Sequence, residues 1–238
     1  MDRSPLALAA LHFASLYELD ARGRIAALAP PAEGAAPRLH VVRTALGTVW
    51  RMRCDLPPAL VRRLSALAGR EGPWRADAPL ERAEFLRRAL ADAAPVAVRA
   101  AGIAFAGADA SMLGAPSVAA DVRPLAPGDA ARAHGGLGDE AAHCAPERAP
   151  VGAFVDGALV AVCRCASRSA REPAQARVAT AEPFRGRGLG AAVLAGWARA
   201  VLAAGGVPLL RAGADDRAAR ALALRARFVA FGDEHAWD

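Results

Sequence analysis

Apolar residues recur at helical spacing in three segments of the first half of the chain. The first carries Leu6, Ala9, Ala10, Phe13 and Tyr17, the second Leu60, Val61, Leu64 and Leu67, the third Phe85, Leu86, Ala89 and Leu90. A period near 3.6 predicts amphipathic helices with one face turned to a core. Asp55 and Pro57 supply start signals for the second. Between the first two, the pattern changes to alternation. His40–Thr44 and Thr48–Cys54 predict a strand pair about the turn Ala45-Leu46-Gly47. On the second strand Val49, Arg51 and Arg53 share one face, and Trp50, Met52 and Cys54 share the other. The Gly- and Ala-rich stretch Ala101–Pro116 reads as a connector.

From Val118 onward the elements come in a different order. A short strand (Val118–Arg123) precedes a helical segment near Gly128–His143. Strands follow at Val151–Val155 and Leu159–Ala166 about the turn Asp156-Gly157, and another at Gln175–Ala181. A helix over Ala191–Leu202 leads to a strand (Val207–Arg211), a helix (Asp216–Arg225) and a last strand (Phe228–Phe231). This is a mixed layer of strands and helices entered by an antiparallel hairpin, not a regular βαβ array. The expected class is α+β (mixed α/β), with a smaller helix-and-hairpin domain over residues 1–116 and a second domain over residues 117–238.

Composition narrows the classes. The 238 residues suffice for one large core or two modest ones, and 54% are hydrophobic. Yet no apolar run approaches the roughly 18 residues of a membrane span, and Met1-Asp2-Arg3-Ser4 lacks the positive start of a signal peptide. The expectation is a soluble cytoplasmic protein without a membrane partner.

Basic residues number 30 against 24 acidic ones, a formal charge of +6. All are Arg; the chain has neither Lys nor Asn, the mark of a GC-rich genome rather than of a nucleic-acid surface. Aromatic residues are only 5% and the arginines are dispersed, so no basic stripe with stacking platforms is present. An acidic small molecule suits this charge better than nucleic acid. Arg51 and Arg53 could form a ligand patch, though alternation of this kind more commonly means a solvated face. The four cysteines (Cys54, Cys144, Cys163, Cys165) make no CxxC pair and no zinc spacing, so no metal is expected. Cys163 and Cys165, two apart on one strand, read as a buried, reduced pair sharing a face, in preference to a metal or redox role.

The densest chemical signal is Phe184-Arg185-Gly186-Arg187-Gly188-Leu189-Gly190, between a predicted strand and a predicted helix. Glycines there leave backbone N–H groups unobstructed at a helix N-terminus, where the helix dipole attracts phosphate. Arg185 and Arg187 add formal charge. Gly186–Ala191 satisfies G-x-G-x-x-[GA], but too little chain follows for a doubly wound dinucleotide fold. A Walker loop is excluded because there is no Lys.

Arg185-x-x-Gly188-x-Gly190 resembles the [QR]-x-x-G-x-[GA] signature of the GNAT acyltransferase superfamily. The run from Asp216 to Phe228 resembles that superfamily's N-x-A-S-x-x-[LV]-x-x-K-x-G-F segment. The resemblance covers roughly Val118 to Asp238. With its unusual N-terminal half, the chain looks like a bacterial GNAT group of poorly defined substrate.

The resemblance implies an acyl-CoA N-acyltransferase fold for the second domain and acetyl-CoA as co-substrate. It implies backbone contacts from Val178, Ala179 and Thr180 to the pantetheine arm. Arg185, Gly186, Arg187, Gly188, Leu189, Gly190 and Ala191 would wrap the pyrophosphate, and Asp216 would approach the pantetheine. The implied reaction moves an acetyl group to a primary amine of a small molecule or peptide by direct attack. A homodimer is left open.

The chain departs from the family at its catalytic positions. The usual thiol-protonating Tyr corresponds to Ala223, and the only Tyr is Tyr17. The pre-signature strand Gln175–Ala181 holds no acid, Arg211 occupies another common base position, and Arg227 replaces Gly before Phe228. Glu182, His143, Cys144 and Glu147 lie where they could border an acceptor site, each with a capping, surface or core role as the commoner meaning. No catalytic residue is therefore assigned. A coenzyme-A-binding sensor or interaction protein that has lost catalysis is the alternative reading.

Overall fold

The computed structural model describes residues 3–76, 78–114, 117–142, 150–166 and 173–238. In chain order the elements are α1 (Pro5–Leu16), β1 (Tyr17–Leu19), β2 (Ile25–Leu28), β3 (Leu39–Thr44), β4 (Gly47–Met52), α2 (Pro58–Ala68), α3 (Ala83–Ala91) and β5 (Val98–Ala106). There follow β6 (Asp121–Pro124), a 3-10 turn (Asp129–Arg132), α4 (Leu137–Ala142), β7 (Val151–Val155), β8 (Ala158–Cys165), β9 (Ala174–Thr180) and a second 3-10 turn (Glu182–Phe184). The chain ends with α5 (Leu189–Ala203), β10 (Pro208–Gly213), α6 (Arg217–Arg225) and β11 (Val229–Trp237). The class is mixed α/β, as the sequence implies.

Contacts divide the chain into two compact units that are not consecutive halves. One holds Phe105–Arg211 and Asp216–Val229; the other holds Asp2–Ala104, Ala212–Asp215 and Ala230–Asp238. The last strand therefore groups with the N-terminal residues. The reason is pairing: β11 runs antiparallel to β3 from Gly232↔Thr44 to Trp237↔Leu39.

In the unit that holds the N-terminal residues the strands lie in the order β4-β3-β11-β5. Leu39, Val41 and Trp237 point to one face, where they pack with Leu64 of α2 and Leu86 and Leu90 of α3. His40 and Glu234, being out of phase with those residues, share the opposite face with α1. Arg51 lies over the Phe13 ring at 5.3 Å, and Arg53 donates to Asp55 at 2.8 Å and to the Ala36 carbonyl at 3.1 Å. Both arginines of the suggested patch thus have structural partners.

Three expectations need correction. Ala101–Pro116 is not simply a connector, because β5 runs through its first part. Small residues are required there for packing: a Cβ on Gly102 would come within 2.3 Å of the Ala212 carbonyl oxygen. The segment near Gly128–His143 is not one helix either. It is a 3-10 turn and the short α4, interrupted at Gly135-Gly136, with Gly135 at φ +61°. Tyr17, expected on the first helix, instead opens β1, which pairs with β2 with Tyr17 opposite Leu28.

In the other unit the order is β10-β9-β8-β7-β6. α5 packs across β7, β8 and β9 and is apolar nearly all round, with Val193, Leu194, Trp197 and Ala198 buried. α4 packs on β8 and β9. Ala179 joins Leu137 and Val162 in a small core, whereas its neighbours Val178 and Thr180 face α5. The two helices therefore cover opposite faces of β9.

Candidate functional site

The sheet opens at β9. β9 and β10 are parallel, but their register covers only Pro208↔Ala174 and Leu209↔Gln175. On its other side β9 continues to pair with β8 as far as Thr180↔Ala161. From Ala176 onward one edge of β9 is laddered, and β10 has parted from the other. Burial falls along the same path, from buried Ala176 to half-buried Val178, Ala179 and Thr180.

The N-terminus of α5 stands beside this opening. Gly188 is its N-cap, at φ 83° and ψ −5°, with no side-chain cap bond and no acidic residue in the first turn. The first N–H groups of a helix have no intrahelical acceptor, and the dipole concentrates positive potential on them. Gly186 also sits in the left-handed region, at φ 78°. Leu189 and Ala191 are buried, so their side chains belong to the core.

Three elements converge on Gly190. A Cβ built there would lie 2.8 Å from Leu222 Cδ1 on α6, 3.4 Å from Thr180 Oγ1 and 3.7 Å from Val178 Cγ1 on β9. The structure thus brings Val178, Thr180 and the glycine turn together, while Ala179 points to the α4 face. Arg185 Nε donates to the Thr180 carbonyl at 3.3 Å, which ties the turn to the end of β9. The Arg187 guanidinium rests 5.1 Å from the Phe184 ring centroid. Asp216 caps α6, its Oδ1 accepting from Ala219 N–H at 2.8 Å, which accounts for an acid at this position on structural grounds.

Ala223 is fully buried, so no side chain at that position faces solvent. Glu182 is exposed at the start of its 3-10 turn, and Arg211 is exposed on β10. His143, Cys144 and Glu147 lie outside the described residues.

One charged group on β9 escaped the sequence reading. Arg164 and Arg177 are cross-strand neighbours, and both donate to Glu140 of α4, each at 2.9 Å through Nε. Hydrogen bonds from Arg177 outweigh burial and, with Arg164, hold the Glu140 carboxyl below the usual glutamate range. A carboxylate so stabilised is a weak proton acceptor, suited to positioning. Its partners lie far along the chain, so spacing carried no signal.

No protein-family model matches the chain, and no curated protein matches it either. Solved structures are similar in fold. A GNAT-family protein from Novosphingobium aromaticivorans DSM 12444 aligns at 22% identity over 60% of this chain and 66% of that one, with a TM-score of 0.43. A GCN5-related N-acetyltransferase from Kribbella flavida aligns at 16% identity over 64% of this chain and 62% of that one, TM-score 0.45. A GNAT-family acetyltransferase from Colwellia psychrerythraea aligns at 14% identity over 79% and 76% respectively, TM-score 0.49. The chain spans less than two thirds of the length of the first two. These likenesses concern the fold alone.

Proposed function

We propose that this protein binds acetyl-CoA and transfers its acetyl group to a primary amine of a small molecule or peptide. The observation that carries this reading is the parting of β9 from β10 directly beside the uncapped N-terminus of α5. An extended chain with amide groups, such as pantetheine, can lie along the released edge of β9 at Val178–Thr180 as an added strand would. A pyrophosphate then meets the N–H groups of residues 186–191, where left-handed glycines let the backbone approach. Arg185 and Arg187 supply charge at the rim; Asp216 contributes by fixing the start of α6.

Acetyl-CoA supplies an activated thioester. A neutral amine attacks its carbonyl carbon, the C–S bond breaks, and the sulfur leaves as thiolate while the amine nitrogen loses a proton to solvent. A thiol pKa of about 8.5 lets the thiolate depart without a dedicated acid, which suits the buried Ala223. The site is assigned to the cytoplasm as part of this proposal, with the acceptor amine as its partner.

The same absence of an acid on β9 and of a hydroxyl at residue 223 favours a second reading, a coenzyme-A-binding sensor without turnover. Calorimetric titration with acetyl-CoA, NAD and ATP, followed by thiol release with an amine panel, tests both. Acetyl-CoA binding with amine-dependent thiol release supports the transferase. Binding without release supports the sensor, and no acetyl-CoA binding by folded protein at millimolar ligand overturns both.

A further inference from the structure

His12, His40 and Glu234 belong to the unit that holds the N-terminal residues, whereas the residues assigned to coenzyme A belong to the other unit. They come from α1, β3 and β11, with His12 and Glu234 separated by 222 positions. All three are buried, none more than 1% exposed. We propose that they bind one divalent transition-metal ion, with Zn(II) the best fit.

The argument is geometric first. Both imidazole Nε2 atoms approach the same carboxylate oxygen, Glu234 Oε2, at 2.8 Å from His12 and 3.3 Å from His40. One potential ligand atom from each residue lies within 4.8 Å of the others. Tetrahedral zinc with bonds of about 2.0 Å places its ligand atoms about 3.3 Å apart. The His40 distance matches that edge. The His12 distance is that of a charge-assisted hydrogen bond, so entry of the ion would open that contact by about 0.5 Å.

The surroundings agree. Tyr17 Oη lies 2.7 Å from His40 Nδ1, the outer nitrogen, so the ring is held with Nε2 turned to the centre. Metal-binding histidines characteristically have their second nitrogen fixed in this way. Phe13 meets His40 edge to face at 5.0 Å and Phe231 meets His12 at 6.0 Å, so apolar rings wall the cluster. Two imidazoles and one carboxylate suit Zn(II) and its transition-metal neighbours; Ca(II) and Mg(II) require more oxygen ligands. Three protein ligands leave a fourth tetrahedral position for water. Because each ligand comes from a different element, the ion would fasten α1 to β3 and β11, and its binding energy would add to folding.

The test uses the full chain without a histidine tag. Chelator-treated protein is titrated with Zn(II) and with Co(II), followed by metal analysis, visible absorption and thermal melting. The expected result is about one ion per chain, a raised melting temperature, and tetrahedral Co(II) bands without thiolate charge transfer. That last feature excludes the cysteines as ligands. His12→Gln and Glu234→Gln should each abolish stoichiometric uptake. If either variant fails to fold, the wild-type Co(II) spectrum still decides. No uptake by folded wild-type protein, a thiolate band, or binding that survives in both folded variants overturns the site. The first outcome would leave a hydrogen-bonded relay from Tyr17 through His40 and Glu234 to His12.

Discussion

Gly190 and Leu222 are packed so closely that a Cβ on the glycine would stand 2.8 Å from the leucine Cδ1. The obstruction is the tip of a flexible side chain on α6, which can turn aside. Gly188 is constrained differently: at φ 83° its own backbone disfavours any side chain, whatever the space around it. The two glycines should therefore respond in opposite ways. Gly188→Ala should cost about 1–2 kcal/mol of stability and weaken acetyl-CoA binding. Gly190→Ala, which gains helix propensity, should stay within about 1 kcal/mol of wild type and keep binding. Urea melts and calorimetry on both variants check this; equal sensitivity would mean that space, not φ, governs the turn.

Arg227 occupies the left-handed region at φ 59°. It follows α6 in a closing pattern in which Phe228 N–H donates to Ala223 O at 2.9 Å and Arg227 N–H to Leu224 O at 3.0 Å. Glycine is the usual residue there because it lacks the Cβ penalty of about 1–2 kcal/mol. Allowing for its freer unfolded state, Arg227→Gly should raise stability by about 0.5–1 kcal/mol. A lower urea midpoint would show that the arginine side chain, which lies against Gly114, outweighs the strain.

The elements around the glycine turn were legible because their signals are local. Strand alternation, a turn with glycines and an apolar helix follow one another from Ala174 to Ala203. The same locality explains the failures. Ala101 and Gly102 read as part of a connector because the small size of Gly102 serves the close approach of Ala212 on β10, which no local pattern reveals. Grouping β11 with the N-terminal residues depends on its register with β3, close to two hundred positions away. Within the candidate site, the turn residues 185–191 could be read directly, and the release of β9 by β10 follows only from the resemblance or the structure. The Glu140 pairs and the His12–His40–Glu234 cluster join residues dispersed along the chain, so spacing could not announce them.

Acid should weaken the unit that contains Asp129. Hydrogen bonds from Arg123 chiefly, then from the Ala126 N–H, hold its carboxyl down to about 2. An unfolded aspartate titrates near 3.9. The folded value lies below the unfolded one, so the contribution is complete above pH about 4 and disappears as pH falls toward about 2. Asp129→Asn removes this titration. Its urea midpoint should therefore be lower than wild type near neutrality and fall less steeply through that window. Parallel slopes for the two proteins would assign the acid sensitivity to other carboxylates.

Asp233 of β11 anchors Arg43 of β3, whose Nε donates to Oδ1 at 2.9 Å while a second nitrogen reaches Oδ2. Burial pushes the Asp233 carboxyl up, but hydrogen bonds from His235 and Arg43 prevail and hold it below the usual aspartate range. The guanidinium is 2% exposed and also donates to the Ala78 and Pro79 carbonyls and to Glu71, so losing Asp233 leaves it buried with a single carboxylate 3.3 Å away. Removing one member of such a pair costs about 3–5 kcal/mol. Asp233→Ala should therefore destabilise the protein by about 3 kcal/mol, and truncation after Val229 should do more, since it removes the whole β11 register. In the truncated chain, limited proteolysis should cut within α1–α3, segments that are protected in the intact protein. A fragment of residues 117–238 should fail in the complementary way, because β11 would present its β3 edge and buried Trp237 without a partner. Cooperative melting of the chain truncated after Val229, with α1–α3 protected, would show that β11 is dispensable to the N-terminal residues despite its pairing; cooperative melting of the 117–238 fragment would show that β11 does not need β3.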